Sequence, residues 1–218
     1  MASDIELKYK SWKETPVNVA LEIRKIIKSE EELDEDKNVY IISLLSGLSV
    51  DEVMDLNLLD YERLCGEAMY VLQPIPKKPH GIRSLVIDGE RYDVHCDFSK
   101  VTTAQYMDFT SFYRDPEKYY TNILTTFIIP HGKRYNDGYD AAELAKVFGE
   151  KLDICTAENA SFFFASWSMN SMKIIQTLYI RTVKRLIRKE KNPEAKEKLK
   201  EILERFQSQK KLLDGLAI

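Results

Sequence analysis

The stretch "NVYIISLLSGLSVDEVMDLNLLDYERLCGEAMYVL", residues 38–72, limits the fold more than any other part of the chain. Its apolar residues fall at helical spacing. Gly47 can take the left-handed conformation that ends a helix. Ser49, followed three residues later by Glu52, has the capping-box pattern that starts the next. Asn57 and the acids near Asp60 break that short helix and open a third, which runs to about Leu72. Three helices with two tight turns are expected here.

The flanking segments add a few strands to a helix-rich chain. In "DIELKYKSW", Ile5, Leu7 and Tyr9 alternate with polar residues, the pattern of a half-buried strand. "IRSLVIDGERYDVHCD" reads as a β-hairpin turning at Asp88-Gly89. A small antiparallel sheet is therefore expected from residues near 5–12, 81–87 and 91–96. Pro16 can open a helix carrying Val17, Ala20, Ile23 and Ile27. Thr102 or Thr103 can cap another. Asp115-Pro116 can start a third, whose Tyr119, Tyr120, Ile123, Leu124, Phe127 and Ile128 make it apolar on more than one side. "DAAELAKVFGE" forms a short helix closed near Gly149. The fold class expected is α+β and predominantly α-helical: six or seven helices around the small sheet, with a long C-terminal two-helix extension. Eight glycines and seven prolines in 218 residues fit that reading better than an all-β one.

Residues 156–191 contain no proline or glycine. Met172, Ile175, Tyr179, Val183 and Leu186 form an apolar stripe. Asn192-Pro193 interrupts it, and Ala195, Leu199, Ile202 and Phe206 form a second stripe. The domains expected are an α+β core over 1–155 and a basic, amphipathic helical extension over 156–218. The charge divides in a similar place. From Arg181 onward there are 12 Lys and Arg against 6 Asp and Glu; the other 180 residues hold 20 against 29. A basic arm on an acidic body can meet nucleic acid, or the acidic part of a neighbouring subunit.

The motifs for chemistry are sparse. His80, His95 and His131 have no metal-ligand spacing, and Cys65, Cys96 and Cys155 form no C-x-x-C pair. His95, Cys96 and Asp97 are consecutive, so in a strand they point to opposite faces. Cys155 precedes an expected helix start, where a thiolate could be stabilised, but no partner histidine is assignable. No Walker A, G-x-S-x-G or G-x-G-x-x-G pattern occurs. "IIPHGKRYNDGYD", residues 128–140, is dense in polar groups around His131. Its parts read as a joint: Pro130 stops a helix, Gly132 and Asn136-Asp137-Gly138 turn, Tyr135 and Tyr139 pack back on the core, and Asp140 caps the next helix. No catalytic, metal or cofactor-binding residue is expected, and no cofactor. An enzyme built on His131 or Cys155 is the third-ranked class.

For binding, the candidate interface residues are Phe162, Phe163, Phe164, Trp167, Met172 and Tyr179, because aromatics and Met are enriched at interfaces. The candidate basic face is Arg181, Lys184, Arg185, Arg188 and Lys189, which share one side of a helix and could touch nucleic acid. The absence of an apolar run of about 18 residues predicts no transmembrane helix. "MASDIELKYK" has no signal-peptide pattern.

Three ordered segments carry a resemblance. "YIISLLSGLSVDEVMDLNLLDYERL" is similar to the "LLSGLS.EE...L...DY..L" helices of tail-assembly-chaperone-like proteins of tailed phages and prophages. "DFSKVTTAQYMDF" is similar to their "LTAGQYID" element. "ILTTFIIPHGKRYNDGYD" resembles their buried helix followed by "P.G..Y..GYD". The likeness covers roughly residues 37–165, and the relatives it implies are phages of Bacteroides and its kin, crAss-like phages included. It implies a non-enzymatic virion structural or assembly protein that binds tail or portal-proximal proteins. Such a protein would be a homo-oligomer, working in the host cytoplasm during assembly or in the virion. The long basic C-terminus departs from that pattern; a chaperone does not need it, whereas a virion component docked beside portal or tail could use it. The alternative class is a nucleic-acid-binding module using the basic C-terminal helix.

Overall fold

The computed structural model describes residues 5–30, 33–77, 82–95, 101–161, 180–181, 183–190, 192–193 and 195–204. The chain divides into two compact units, residues 1–162 and 163–218. The first unit is α+β and dominated by helices: α1 (Val17–Lys28), α2 (Asp34–Ser46), α3 (Val50–Met54), α4 (Leu58–Ala68), a 3-10 turn (Met69–Leu72), strands β1 (Ser84–Ile87) and β2 (Glu90–Val94), α5 (Thr103–Phe112), α6 (Tyr120–Thr125), β3 (Ile128–Pro130) and α7 (Ala141–Lys151). Residues 154–161 are again helical.

Local chemistry sets most of these boundaries. Gly47 ends α2 at φ 80. Ser49 and Glu52 form the reciprocal capping box of α3, and the Asn57 side chain accepts from Asp60 N to start α4. Thr102 and Gln105 form a second capping box at α5. Asp140 accepts from the backbone of Ala142 and Glu143 to begin α7. Asp88 (φ 51) and Gly89 (φ 83) supply the two left-handed residues of a type I′ hairpin turn.

The sheet is three-stranded and antiparallel in the order β1-β2-β3. Two of its members were expected; the third corrects the sequence reading. Residues 5–12 contain no strand. Leu7 is buried, but its neighbours Lys8 and Tyr9 donate their N–H groups to the Leu45 carbonyl at the C-terminal end of α2. A helix end has carbonyls without internal partners, and this segment satisfies one of them instead of joining a ladder. The third strand is Ile128–Pro130, placed by the sequence reading partly in a helix. It pairs through Val94↔Ile128, Asp93↔Ile129 and Tyr92↔Pro130. Two β-branched residues followed by a proline suit a short edge strand, where the missing N–H faces no partner. The helix before it is correspondingly short: Pro116 lies in a turn, and α6 begins only at Tyr120.

The core of this unit lies where α1, α2, α6, α7 and the buried face of the sheet meet. Ile23, Ile42, Leu45, Leu124, Phe127 and Phe148 are fully buried. Each such side chain contributes about 1.5–3 kcal/mol. Leu85, Ile87, Tyr92 and Val94 are buried on the sheet. Tyr92 meets Phe148 of α7 edge-on at 5.6 Å. The start of α1 is tied to the end of α7: Val17 N donates to Leu152 O and Ile154 N donates to Thr15 O.

In the second unit, residues 183–189 and 195–204 are helical, and residues 190 and 192 are not. The Asn192 side chain accepts from Ala195 N to restart the helix.

Candidate interaction surface

The corner between α3 and α4 is built by two caps placed eight residues apart, Ser49 and Asn57. The close spacing leaves α3 only five residues long. A helix that short presents one inward position, and Val53 takes it. In α4, Leu64 and Ala68 face inward. Met54, Leu58 and Leu59 therefore stay outside, at 67%, 68% and 79% exposure. Further along, Met69 and Leu72 are exposed at the rim of a small groove lined by Ile41, Ile42, Ala68 and Val71.

This apolar corner sits in an acidic field. Between Lys37 and Arg63 the chain carries Asp51, Glu52, Asp55, Asp60 and Glu62 and no basic residue. The Ser49 backbone N–H donates to Glu52 and holds its carboxyl below the usual range. Asp60 lies within ion-pair range of Arg63. Asp51, Asp55 and Glu62 take part in no ion pair among the described residues. Burial pushes the Tyr61 phenol up to about 12, with Cys65 one turn on adding to the shift.

The sequence-predicted basic face belongs to the second unit. Arg181, Lys184, Arg185, Arg188 and Lys189 are exposed, and among the described residues none of them is in an ion pair. No acid interrupts residues 181–189. Leu186, within this run, is 47% exposed. Ile202 on the last helix is 41% exposed. The predicted interface residues Phe162, Phe163, Phe164, Trp167, Met172 and Tyr179 lie outside the described residues. The α3–α4 corner was not singled out by the sequence reading. The signal was present, since three large apolar residues flank a cap in a five-residue helix, but helical spacing alone assigns such residues to a core.

The other chemical candidates are dispersed. His131, just after β3, donates from Nδ1 to Asp93 Oδ2 of β2 at 2.7 Å. Arg91 Nε lies 3.6 Å from the other carboxylate oxygen. This dyad has the pairing that orients a general base, with His131 55% and Asp93 33% exposed. Cys155 is buried in the helix at 154–161. His95 uses its backbone N–H on the Phe127 carbonyl; Cys96 and Asp97 lie outside the described residues. A cleft of about 150 Å³ between α1 and the 116–120 turn is lined by Arg24, Lys25, Lys28, Glu117 and Tyr120, among others. Its bases are neutralised by Glu158, Glu22 and Glu117. Among the described residues no three His, Cys, Asp or Glu side chains converge as a metal site, and no helix is long and apolar enough to cross a membrane.

No family model, curated protein or solved structure matches the chain.

Proposed function

We propose that this chain is a non-enzymatic protein-binding component of virion morphogenesis in a tailed phage, engaging tail or portal-proximal proteins. The observation that carries the reading is the exposed apolar corner of Met54, Leu58 and Leu59. It lies inside the segment that resembles tail-assembly-chaperone-like proteins. Large apolar side chains at such exposure, ringed by polar groups, are the composition of a binding surface.

The motif residues behind the resemblance have structural tasks that agree with a scaffold. Gly47, Ser49 and Glu52 shape the α2–α3 turn. Gly132 (φ 76) and Gly138 (φ 72) turn the loop after β3, and Tyr135 donates its hydroxyl to Asp108 at 2.7 Å. The test is affinity capture of the full chain from phage-infected cells, followed by mass spectrometry of the captured proteins and of purified virions. Recovery of tail or portal-proximal proteins, reduced by Leu58→Ser/Leu59→Ser, is the expected result. No recovered virion protein would sink the reading.

A second reading, a nucleic-acid-binding module, draws on the five exposed bases at residues 181–189, which are in no ion pair among the described residues. It requires DNA affinity that falls steeply with salt.

A further inference from the structure

We infer that the acidic apolar corner of α3–α4 receives the basic helix at residues 183–189 of a second copy of this chain, giving head-to-tail self-association. The inference rests on the protein-binding reading above and names the partner of that surface.

Two observations point to this occupant. The corner presents three exposed apolar side chains beside Asp51, Asp55 and Glu62, whose charges have no counter-ion among the described residues. The helix at 183–189 presents the complementary set: exposed Leu186 among Lys184, Arg185, Arg188 and Lys189, likewise without counter-ions there. Among the described residues, three acids of one surface and four bases of the other are in no ion pair. Pairing them buries apolar area and neutralises like-charge repulsion within each copy, and the opposite potentials steer the encounter. Leu186, 47% exposed on this helix, would be covered in the same contact.

The two surfaces are different patches of one chain. Each copy carries one corner and one basic helix, so two copies can exchange helices reciprocally as a two-fold dimer, or successive copies can pair one contact at a time into a ring or filament.

The experiment is sedimentation analysis of the full chain, wild type and variants, at about 50 mM and about 500 mM salt. The head variant is Asp55→Lys/Leu59→Lys, and the tail variant is Arg185→Glu/Arg188→Glu. All four positions are exposed, so folding is preserved, which circular dichroism checks. A second head variant, Asp55→Lys/Glu62→Lys, covers the case in which the first misfolds. Wild type is expected to form a dimer or larger species, weakened at least about tenfold by the higher salt. Each variant alone is expected to be monomeric. An equimolar mixture of head and tail variants is expected to stop at a dimer, because one intact corner and one intact helix remain. A monomeric wild type at all concentrations would overturn the inference. So would a mixture that stays monomeric, or a tail variant that loses DNA binding and leaves self-association unchanged. Capture of virion proteins by a monomeric chain would overturn the inference and leave the protein-binding reading standing. Self-association without any virion partner would do the reverse.

Discussion

His131 and Asp93 sit 38 residues apart in sequence, yet the Nδ1 of the first donates to Oδ2 of the second at 2.7 Å. The β2–β3 ladder brings them together: Asp93 pairs with Ile129, and His131 N donates to the Arg91 carbonyl. The pair is a surface hydrogen bond at the end of a short strand, with the imidazole 55% exposed. Such pairs contribute about 0.2–1 kcal/mol. His131→Ala is expected to lower stability by less than about 1 kcal/mol and, on the proposed function, to leave virion assembly intact. Urea unfolding and a phage complementation assay check this. Lost assembly with a fully folded variant would revive a catalytic reading of the dyad.

Gln105 links three parts of the fold. Its side-chain oxygen accepts from Thr102 N at 3.0 Å, and its Nε2 donates to the Thr126 carbonyl at 2.8 Å. Gln105 and Thr126 are both buried, so the Thr126 carbonyl has no solvent as a substitute. Thr102→Ala removes only the cap and is expected to cost about 1 kcal/mol. Gln105→Leu also orphans the Thr126 carbonyl, which adds about 1–3 kcal/mol. The urea midpoint of Gln105→Leu should therefore lie below that of Thr102→Ala; equal midpoints would sink the bridging role.

These cases show what the sequence makes legible. Caps and turns are local, and Ser49, Thr102, Asp140, Gly47 and Asp88-Gly89 act at the positions their side chains or backbone freedom suggest. Strand membership is not local. Leu7 and Ile129 both lie in short apolar patterns, and only tertiary packing assigns one to a helix end and the other to the sheet. The exposed apolar corner was hidden for a related reason. Periodicity says which residues share a helix face, but Leu58 and Leu59 stay exposed because Asn57 restarts the helix and turns that face outward.

Phe148 is fully buried in α7 and meets Tyr92 of the hairpin. It thus links the hairpin to α7. Phe148→Ala is expected to cost about 3–5 kcal/mol, through lost transfer energy and the cavity left behind. By contrast, Leu59→Ser on the exposed corner should change stability by no more than about 0.5 kcal/mol. Thermal melts of the two variants test the assignment of one residue to the core and the other to the surface. Similar losses would show that the corner is covered in the folded chain.

Alkali should unfold this protein earlier than its acidic composition suggests. Burial pushes the Tyr120 phenol well above its ordinary value of 10.0, with the nearby Glu158 carboxylate adding to the shift. Its hydroxyl is held near Ser161 Oγ at 3.4 Å. Burial and the Asp108 carboxylate raise Tyr135 in the same direction. A raised folded-state value means that the neutral phenol is favoured in the native state. That stabilisation is complete below pH 10 and is lost as the unfolded chain ionises above it. The urea midpoint is therefore expected to hold level to about pH 9 and to fall from about pH 10 upward. Tyr120→Phe removes one ionising phenol and should flatten the fall, even if it lowers the midpoint at neutral pH. A wild-type midpoint that stays level to about pH 11.5, or a Tyr120→Phe profile parallel to it, would remove Tyr120 as a cause of alkaline lability.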